Sequence, residues 1–412
     1  MMLKYPIYHY LIYSEELLMV EYADRMRAMK PSPIRALLAL TQKPEVTSFA
    51  GGLPAPELFL VDDFRVACDA VLKESGRVAM QYGTTDGFTP LRQQICDRLF
   101  VKNQIKTSVG NILLTAGSQQ GLDFCARVFV NPGDKVIMEA PSYLGAINAF
   151  NPSQPEYIEI PTDEYGMDLD ALEKALAGNA NIKLIYVIPD FQNPSGRTWP
   201  MDRREKFMEI ITRYEIPVIE DNPYGELRYK GEFLPALKSM DTKGLVIYLG
   251  TFSKILSPGI RLGWMCASEE YISKFNLLAQ AAVLQTTTFG AMAVSKYLEM
   301  FDVDAHVEEC RQLYKHRASV MVQAMKDYFP DCVKFTDPDG GLFTWVECPD
   351  YMDTNKMAED VLKYNVAFVP GDGFFPNGEN HHCFRLNYSC ASDEQIINGI
   401  KVIADVIRSY IK

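Results

Sequence analysis

Residues 250–264 read G-T-F-S-K-I-L-S-P-G-I-R-L-G-W and follow directly on the apolar run Leu245 to Leu249. A short apolar run bounded by turn residues reads as a buried strand. That places Lys254 just past a strand end, with the hydroxyls of Thr251 and Ser253 beside it, a Pro258-Gly259 turn ahead and Arg261 beyond the turn. Hydroxyls and a planar guanidinium are phosphate ligands, because the guanidinium can engage two oxygens at once. A lysine within reach of a bound phosphate points to pyridoxal phosphate, which joins a phosphate to a lysine-reactive aldehyde and is held as a Schiff base. For S-x-K alone an ordinary loop with an exposed lysine is the better account, and what decides between the two lies elsewhere in the chain.

At 412 residues the chain is long enough for two unequal lobes. Its 48% apolar and 23% charged residues are those of an ordinary folded globule. A net charge of -12 disfavours nucleic acid as a partner, since a phosphate backbone seeks basic surface. Nine cysteines, at 68, 96, 125, 266, 310, 332, 348, 383 and 390, are scattered, odd in number and without C-x-x-C. A disulfide framework and a zinc site are therefore not expected, and a reducing cytoplasm is. The first eighteen residues, MMLKYPIYHYLIYSEELL, are aromatic but interrupted by Lys4, Pro6 and His9 and carry Glu15 and Glu16. Neither a signal peptide nor a membrane span is expected there. The expectation for 1–18 is an extension of unknown role, with Met19 as an alternative start.

A mixed helical pattern over 22–41 is interrupted by P-S-P at Pro31 to Pro33, followed by Arg35; then comes T-S-F-A-G-G-L-P-A-P, whose Gly51 and Gly52 let backbone approach a ligand or simply connect two elements. A helical pattern from Asp62 to Leu72 leads to Q-Y-G-T-T-D-G-F, which holds Tyr82, and Leu91, Ile95 and Leu99 resume helical spacing. Strand Ile112 to Leu114 is followed by T-A-G-S-Q-Q-G and by Leu122, Cys125, Ala126 and Phe129 on one helical face, with Ser118 placed to cap the start. Strand, glycine turn and capped helix form an anion cradle, since free N–H groups and the helix dipole aim at one spot. Neither G-x-x-x-x-G-K-[ST] nor a helix-opening G-x-G-x-x-G occurs, so neither ATP nor a dinucleotide is indicated.

Further strands are expected at Lys135 to Glu139, before Tyr143; at Ile182 to Ile188, before Q-N-P-S-G; at Pro217 to Glu220, ending at Asp221; and at Trp264 to Ala267, with a helix from Asp202 to Tyr214. The polar residues singled out fall just after strands, the edge where an open α/β sheet binds ligands. A long helix is expected from Val303 to Tyr328, then strands Gly341 to Glu347, Val366 to Val369 and Cys383 to Ser389, and a closing helix from Asp393. A carboxylate facing a pyridine nitrogen keeps it protonated, and Asp221 is assigned that part. Tyr224 and Asn193 suit the ring's phenolic oxygen, and Tyr143 offers a flat face to the ring. Taken singly, Asp221 reads equally as a helix cap, Asn193 as a turn residue and Tyr143 as core. Arg385 lies on the polar face of its strand, opposite Phe384, Leu386 and Tyr388. Such an arginine is usually a surface ion pair, but an amino-acid substrate needs its carboxylate held, and a bidentate arginine does this.

Through P-S-P-I-R, A-G-G-L-P, G-S-Q-Q-G, Q-N-P-S-G, D-N-P-Y, S-K-x-x-x-P-G-x-R-x-G and F-R-L-N-Y-S, the chain from about residue 22 onward resembles a pyridoxal-phosphate aminotransferase of the class I/II family. It most resembles the 2-aminoadipate or kynurenine subgroup. The resemblance implies an α/β fold of type I, with a mostly parallel sheet flanked by helices in a large domain over 62–302 and a smaller α+β domain over 303–412. It implies a segment over 19–61 that packs on the small domain and the active site. It further implies that Lys254 carries the cofactor as an imine, Asp221 pairs with the ring nitrogen, and Asn193 and Tyr224 bind the ring oxygen. Ser118, Gln119, Thr251, Ser253 and Arg261 would hold the phosphate, Tyr143 would stack, and Arg385 would grip the substrate carboxylate. Family members are homodimers with shared sites, so Tyr82 would reach the neighbour's phosphate, while Gly52 and Arg35 match substrate-contacting positions. The expected reaction is ping-pong amino transfer from an L-amino acid, 2-aminoadipate-like, aromatic or branched, to a 2-oxo acid such as 2-oxoglutarate.

The same fold serves lyases and decarboxylases that share most of these residues. It also forms the effector-binding half of some transcription regulators, but a DNA-binding head is not expected within the roughly fifty residues ahead of the family match.

Overall fold

The computed structural model describes residues 21–26, 29, 45–378 and 380–412. Arg35, the P-S-P motif and the expected extension at 1–18 lie outside the described residues. The strands in chain order are β1 (Thr47–Ser48), β2 (Ile112–Thr115), β3 (Lys135–Ala140), β4 (Glu156–Asp163), β5 (Gly166–Met167), β6 (Ile182–Val187), β7 (Val218–Asp221), β8 (Val246–Thr251), β9 (Gly263–Cys266), β10 (Lys334–Phe335), β11 (Phe343–Glu347), β12 (Val366–Ala367), β13 (Val369–Pro370) and β14 (Cys383–Asn387).

An eight-stranded sheet runs β2-β9-β8-β7-β6-β3-β4-β5. Its centre, from β8 through β7, β6 and β3 to β4, is parallel, while β9 pairs antiparallel with both β8 and β2. The apolar runs of these central strands follow from burial on both faces. On one face Met138, Ile219, Ile247 and Leu249 pack against Leu122 and Phe124 of the helix Ser118–Phe129 and Phe275 of the helix Glu269–Ala282. On the other, Ile137, Ile185, Val218 and Val246 meet Leu172 of Leu169–Gly178 and Phe207 and Ile211 of Met201–Tyr214.

After the helix Val303–Tyr328 comes a four-stranded antiparallel sheet, β10-β11-β14-β13. The closing helix Asp393–Tyr410 starts on a capping box in which the Ser392 hydroxyl and the Gln395 side chain satisfy each other's backbone N–H groups. The parallel strands β1 and β12 form a separate two-stranded sheet, and the Asn387 N–H of β14 donates to the Phe49 carbonyl at 2.9 Å, which holds the segment after Thr47 against the four-stranded sheet. Among the described residues no helix is long and apolar enough to cross a membrane.

Several expectations needed correction. The stretch Val366 to Val369 is two strands, one pairing with β1 and the other with β14. The helix expected over Asp62 to Leu72 continues to Ala79, with a non-helical break at Ser75. The strands β4 and β5 and the helix Leu169–Gly178 had no counterpart in the sequence reading. E-Y-I-E-I-P-T-D of β4 mixes polar and apolar residues because it lies next to the sheet edge, where most of its residues keep some exposure.

Candidate active site

A cavity of about 450 Å³ opens where β3, β6, β7 and β8 end. Lys254 reaches it from the turn after β8, and its Nζ donates to the Gly52 carbonyl at 2.6 Å. The lysine keeps partial exposure because it lines the cavity, yet protein crowds its amine. That loss of hydration lowers its pKa from the ordinary 10.5 to about 8, with repulsion from Arg385 and Arg261 adding to the effect.

Asp221, the last residue of β7, is buried. Its Oδ2 accepts from the Tyr186 hydroxyl at 2.9 Å, while its Oδ1 has no partner among the described residues. Burial pushes its carboxyl up to about 7, and the Tyr186 hydrogen bond pulls the other way. Asn193 joins two neighbours: its Nδ2 lies 3.4 Å from the Tyr224 hydroxyl, and its Oδ1 accepts from Arg385 Nη1 at 2.8 Å. Arg385 is on β14 of the other sheet, and its Nη2 donates to the Ala50 carbonyl at 2.7 Å. Both faces of β14 are covered, so Arg385 is only 3% exposed; the surface ion pair that is the usual fate of a strand arginine does not form. Desolvation lowers its pKa to about 10, and no carboxylate pairs with it among the described residues.

In the same cavity Thr251 Oγ1 donates to Ser253 Oγ at 2.8 Å and accepts from the Ser253 N–H at 3.1 Å. Arg261 adopts a left-handed backbone (φ 54°) and sends Nη2 to the Ala116 carbonyl at 2.9 Å. The first turn of Ser118–Phe129 faces the same place, but its N-cap is Gly117 and not Ser118, and no side chain caps it. Gly117 has φ 78°, and a Cβ there would stand 2.7 Å from Arg261 Nη2, so only glycine lets the guanidinium come this close. Gln119 Nε2 donates to the Gly145 carbonyl at 2.8 Å. Tyr143 opens the helix Leu144–Phe150 with its ring folded over Gly145.

The cavity thus brings together Gly52, Ser118, Gln119, Tyr143, Asn193, Asp221, Tyr224, Thr251, Ser253, Lys254, Arg261 and Arg385. Tyr82 is elsewhere, 78% exposed beside residues 286–288. Sequence reasoning missed Tyr186, Leu144 and Phe374. Tyr186 lay hidden inside an apolar run, its only signal being that it stands opposite Ile219, one face-step short of Asp221. Leu144 and Phe374 are ordinary core residues in type that happen to line the cavity.

The residues present fit pyridoxal phosphate. An orphaned carboxylate oxygen, a lysine with a softened amine and a set of hydroxyls, guanidinium and helix N–H groups line one cavity, the partners that a ring nitrogen, an aldehyde and a phosphate require.

The family model for aminotransferase class I and II matches residues 58–403. The chain is 42% identical over 395 residues to aromatic-amino-acid aminotransferase 1 of Thermococcus litoralis, covering 95% of each. It is 38% identical to the 2-aminoadipate transaminase of Thermus thermophilus, over 94% of this chain and 96% of that one. The crystal structure of Pyrococcus horikoshii kynurenine aminotransferase in complex with PMP superposes with a TM-score of 0.91 at 40% identity, covering 95% of this chain and 98% of the other.

Proposed function

The chain belongs to the class I and II aminotransferases, which work with pyridoxal 5'-phosphate, and we propose that it carries the amino group of an L-amino acid to 2-oxoglutarate in ping-pong fashion. One observation carries this reading: Arg385, a buried guanidinium with no carboxylate partner among the described residues, lines the same cavity as the Lys254 amine. An α-amino acid presents a carboxylate and an amine on one carbon, and these two groups match it.

When bound, the cofactor supplies an aldehyde carbon for amines and a ring that accepts electrons. The residues then divide the work. Arg385 and Asn193 fix the substrate carboxylate and so orient its Cα. Lys254 Nζ, softened by burial, is the base that takes up and delivers the Cα proton. Asp221 would offer Oδ1 to the ring nitrogen, and Tyr224 and Asn193 would bind the ring oxygen. Ser118, Gln119, Thr251, Ser253 and Arg261 would hold the phosphate, and Tyr143 would stack on the ring. Gly52, and Arg35 outside the described residues, contact the substrate.

The proposal extends to donor, assembly and place. A 2-aminoadipate-like or aromatic donor is supported by what the relatives are named for, and a branched one by the phosphopyridoxyl-L-leucine in the crystal structure of the Thermus thermophilus alpha-aminoadipate aminotransferase. A homodimer with shared sites is supported by the exposed Val78 and Tyr82, which line one concavity. The division into 62–302 and 303–412 is supported by the eight-stranded and four-stranded sheets, which fall wholly within those two ranges; a segment 19–61 packing on the small domain and the active site is supported by the pairing of β1 with β12 and by the Ala50 and Gly52 carbonyls on Arg385 and Lys254, while the extension 1–18 lies outside the described residues. A cytoplasmic setting rests on the nine cysteines, none of the described ones paired.

The decisive experiment offers the holoenzyme one amino acid without a 2-oxo acid. A transaminase releases one equivalent of oxo acid and stops. A lyase or decarboxylase continues, and continued turnover would replace this reading. A donor panel with 2-oxoglutarate then fixes the side chain.

A further inference from the structure

Strand β6 reads I-K-L-I-Y-V, and its Tyr186 is 1% exposed at the centre of the large sheet. A phenol in such a place is costly unless its hydroxyl is partnered. That partner is Asp221 Oδ2, at 2.9 Å. The parallel pairing of β6 with β7 sets Tyr186 opposite Ile219 and so on the same face as Asp221. Phe150 meets the tyrosine ring edge-to-face, with centroids 5.8 Å apart and planes at 84°, and so restrains the ring that carries the hydroxyl. One carboxylate oxygen is therefore anchored within the sheet, and the other, Oδ1, is left unpartnered on a residue that lines the cavity.

We propose that Tyr186 is a positioning residue for the amino-transfer reaction: its hydroxyl locks the rotation of the Asp221 carboxylate so that Oδ1 faces the cofactor's ring nitrogen, and holds that carboxylate as an anion. The inference rests on the reading that Asp221 faces the ring nitrogen. Among the described residues no other side chain hydrogen-bonds Asp221. Cys125 on the helix Ser118–Phe129 and Tyr224 after β7 also face Asp221, and burial pushes both above their ordinary range, so neither carries charge near neutral pH. Tyr143 faces Tyr186 from beyond β3. No lysine or arginine pairs with Asp221 among the described residues, and burial works to protonate it. The Tyr186 hydroxyl is the contact that opposes protonation.

The test compares the full-length protein with Tyr186→Phe and Asp221→Asn. Each apoprotein is titrated with pyridoxal phosphate and with an analogue in which C–H replaces the ring nitrogen, and the visible band of each holoprotein is followed against pH. Tyr186→Phe should bind the natural cofactor about tenfold more weakly, the worth of one hydrogen bond to a charged group. It should also shift the pH dependence of the band and lower kcat with little change in KM, and it should bind the C–H analogue as the parent does. An equal loss for both cofactors would make Tyr186 a packing residue and overturn the inference, as would parent-like affinity and spectrum in Tyr186→Phe. If Asp221→Asn also fails to distinguish the two cofactors, the placement of Asp221 at the ring nitrogen falls instead.

Discussion

Arg385 Nη1 donates to Asn193 Oδ1 at 2.8 Å across 192 residues of sequence, and this bond ties the four-stranded sheet to the loop that follows β6 of the large one. The guanidinium carbon lies 4.2 Å from the centre of the Phe343 ring and 5.1 Å from that of Phe374, and Nε has no partner among the described residues. A cation held in aromatic walls with a donor to spare is poised for an incoming anion.

Removing it should cost substrate and spare cofactor. Arg385→Leu is expected to raise KM for both donor and 2-oxo acid by about 30- to 1,000-fold, the span of about 2–4 kcal/mol for a buried charge-assisted contact. Steady-state kinetics for the two substrates and a cofactor titration check both halves of the expectation.

Lys254→Ala should abolish repeated turnover, with a loss of at least about a thousandfold, if the residue is both carrier and base as proposed. Borohydride reduction followed by peptide mapping should fix cofactor on residue 254 in the parent and nowhere in the variant.

The Lys254 amine releases its proton near pH 8 in the folded protein, against an ordinary 10.5. Capture of cofactor by the apoprotein should therefore quicken as pH rises toward about 8 and flatten beyond it. Arg385→Leu removes a repelling charge, raises the amine's pKa and should move this profile to higher pH. Between 8 and 10.5 the unfolded chain holds a proton that the folded one has lost, so this residue's contribution to apoprotein stability should rise with pH across that window. Stopped-flow absorbance and urea midpoints read the two effects.

Gly117→Ala should push Arg261 out of place and weaken cofactor binding about tenfold or more, because the new methyl stands 2.7 Å from Nη2 at a φ of +78°. Gly178→Ala meets nothing within 4 Å and should leave affinity unchanged. Fluorescence titration of both apoproteins separates a local clash from a general effect of losing a glycine.

If Tyr82 completes the neighbour's phosphate site, Tyr82→Ala and Lys254→Ala should each be weak alone and recover activity when mixed under exchange conditions. The hybrid holds one intact site, formed by Lys254 of one chain and Tyr82 of the other. Absence of recovery despite hybrid formation would place Tyr82 outside the site.

Much of the large sheet was legible because β6, β7 and β8 are buried on both faces and so read as unbroken apolar runs. The residues that end up around the cavity were legible for a related reason: Tyr143, Asn193 and Lys254 are polar or aromatic side chains placed directly after such runs, and Asp221 ends one. β4 was not legible, since a partly exposed strand near an edge mixes polar and apolar residues without a clean period. Nor was the burial of Arg385, because alternation along β14 names two faces without saying what covers each. Tyr186 failed for the opposite reason: within an apolar run its ring looks like core, and only the register of β6 on β7 brings its hydroxyl to Asp221.

The segment that follows β1 turns two main-chain oxygens on the cavity's cations, Ala50 to Arg385 and Gly52 to Lys254. If the substrate binds at Arg385 and Lys254 as proposed, its entry is a trade of partners instead of the filling of a gap, and selectivity follows from the terms of the trade. A fully ionised carboxylate outbids a neutral carbonyl for a guanidinium, whereas the corresponding amide or ester offers nothing the peptide chain does not already provide. Discrimination between free amino acids and peptide-bound residues is in this way written into the backbone.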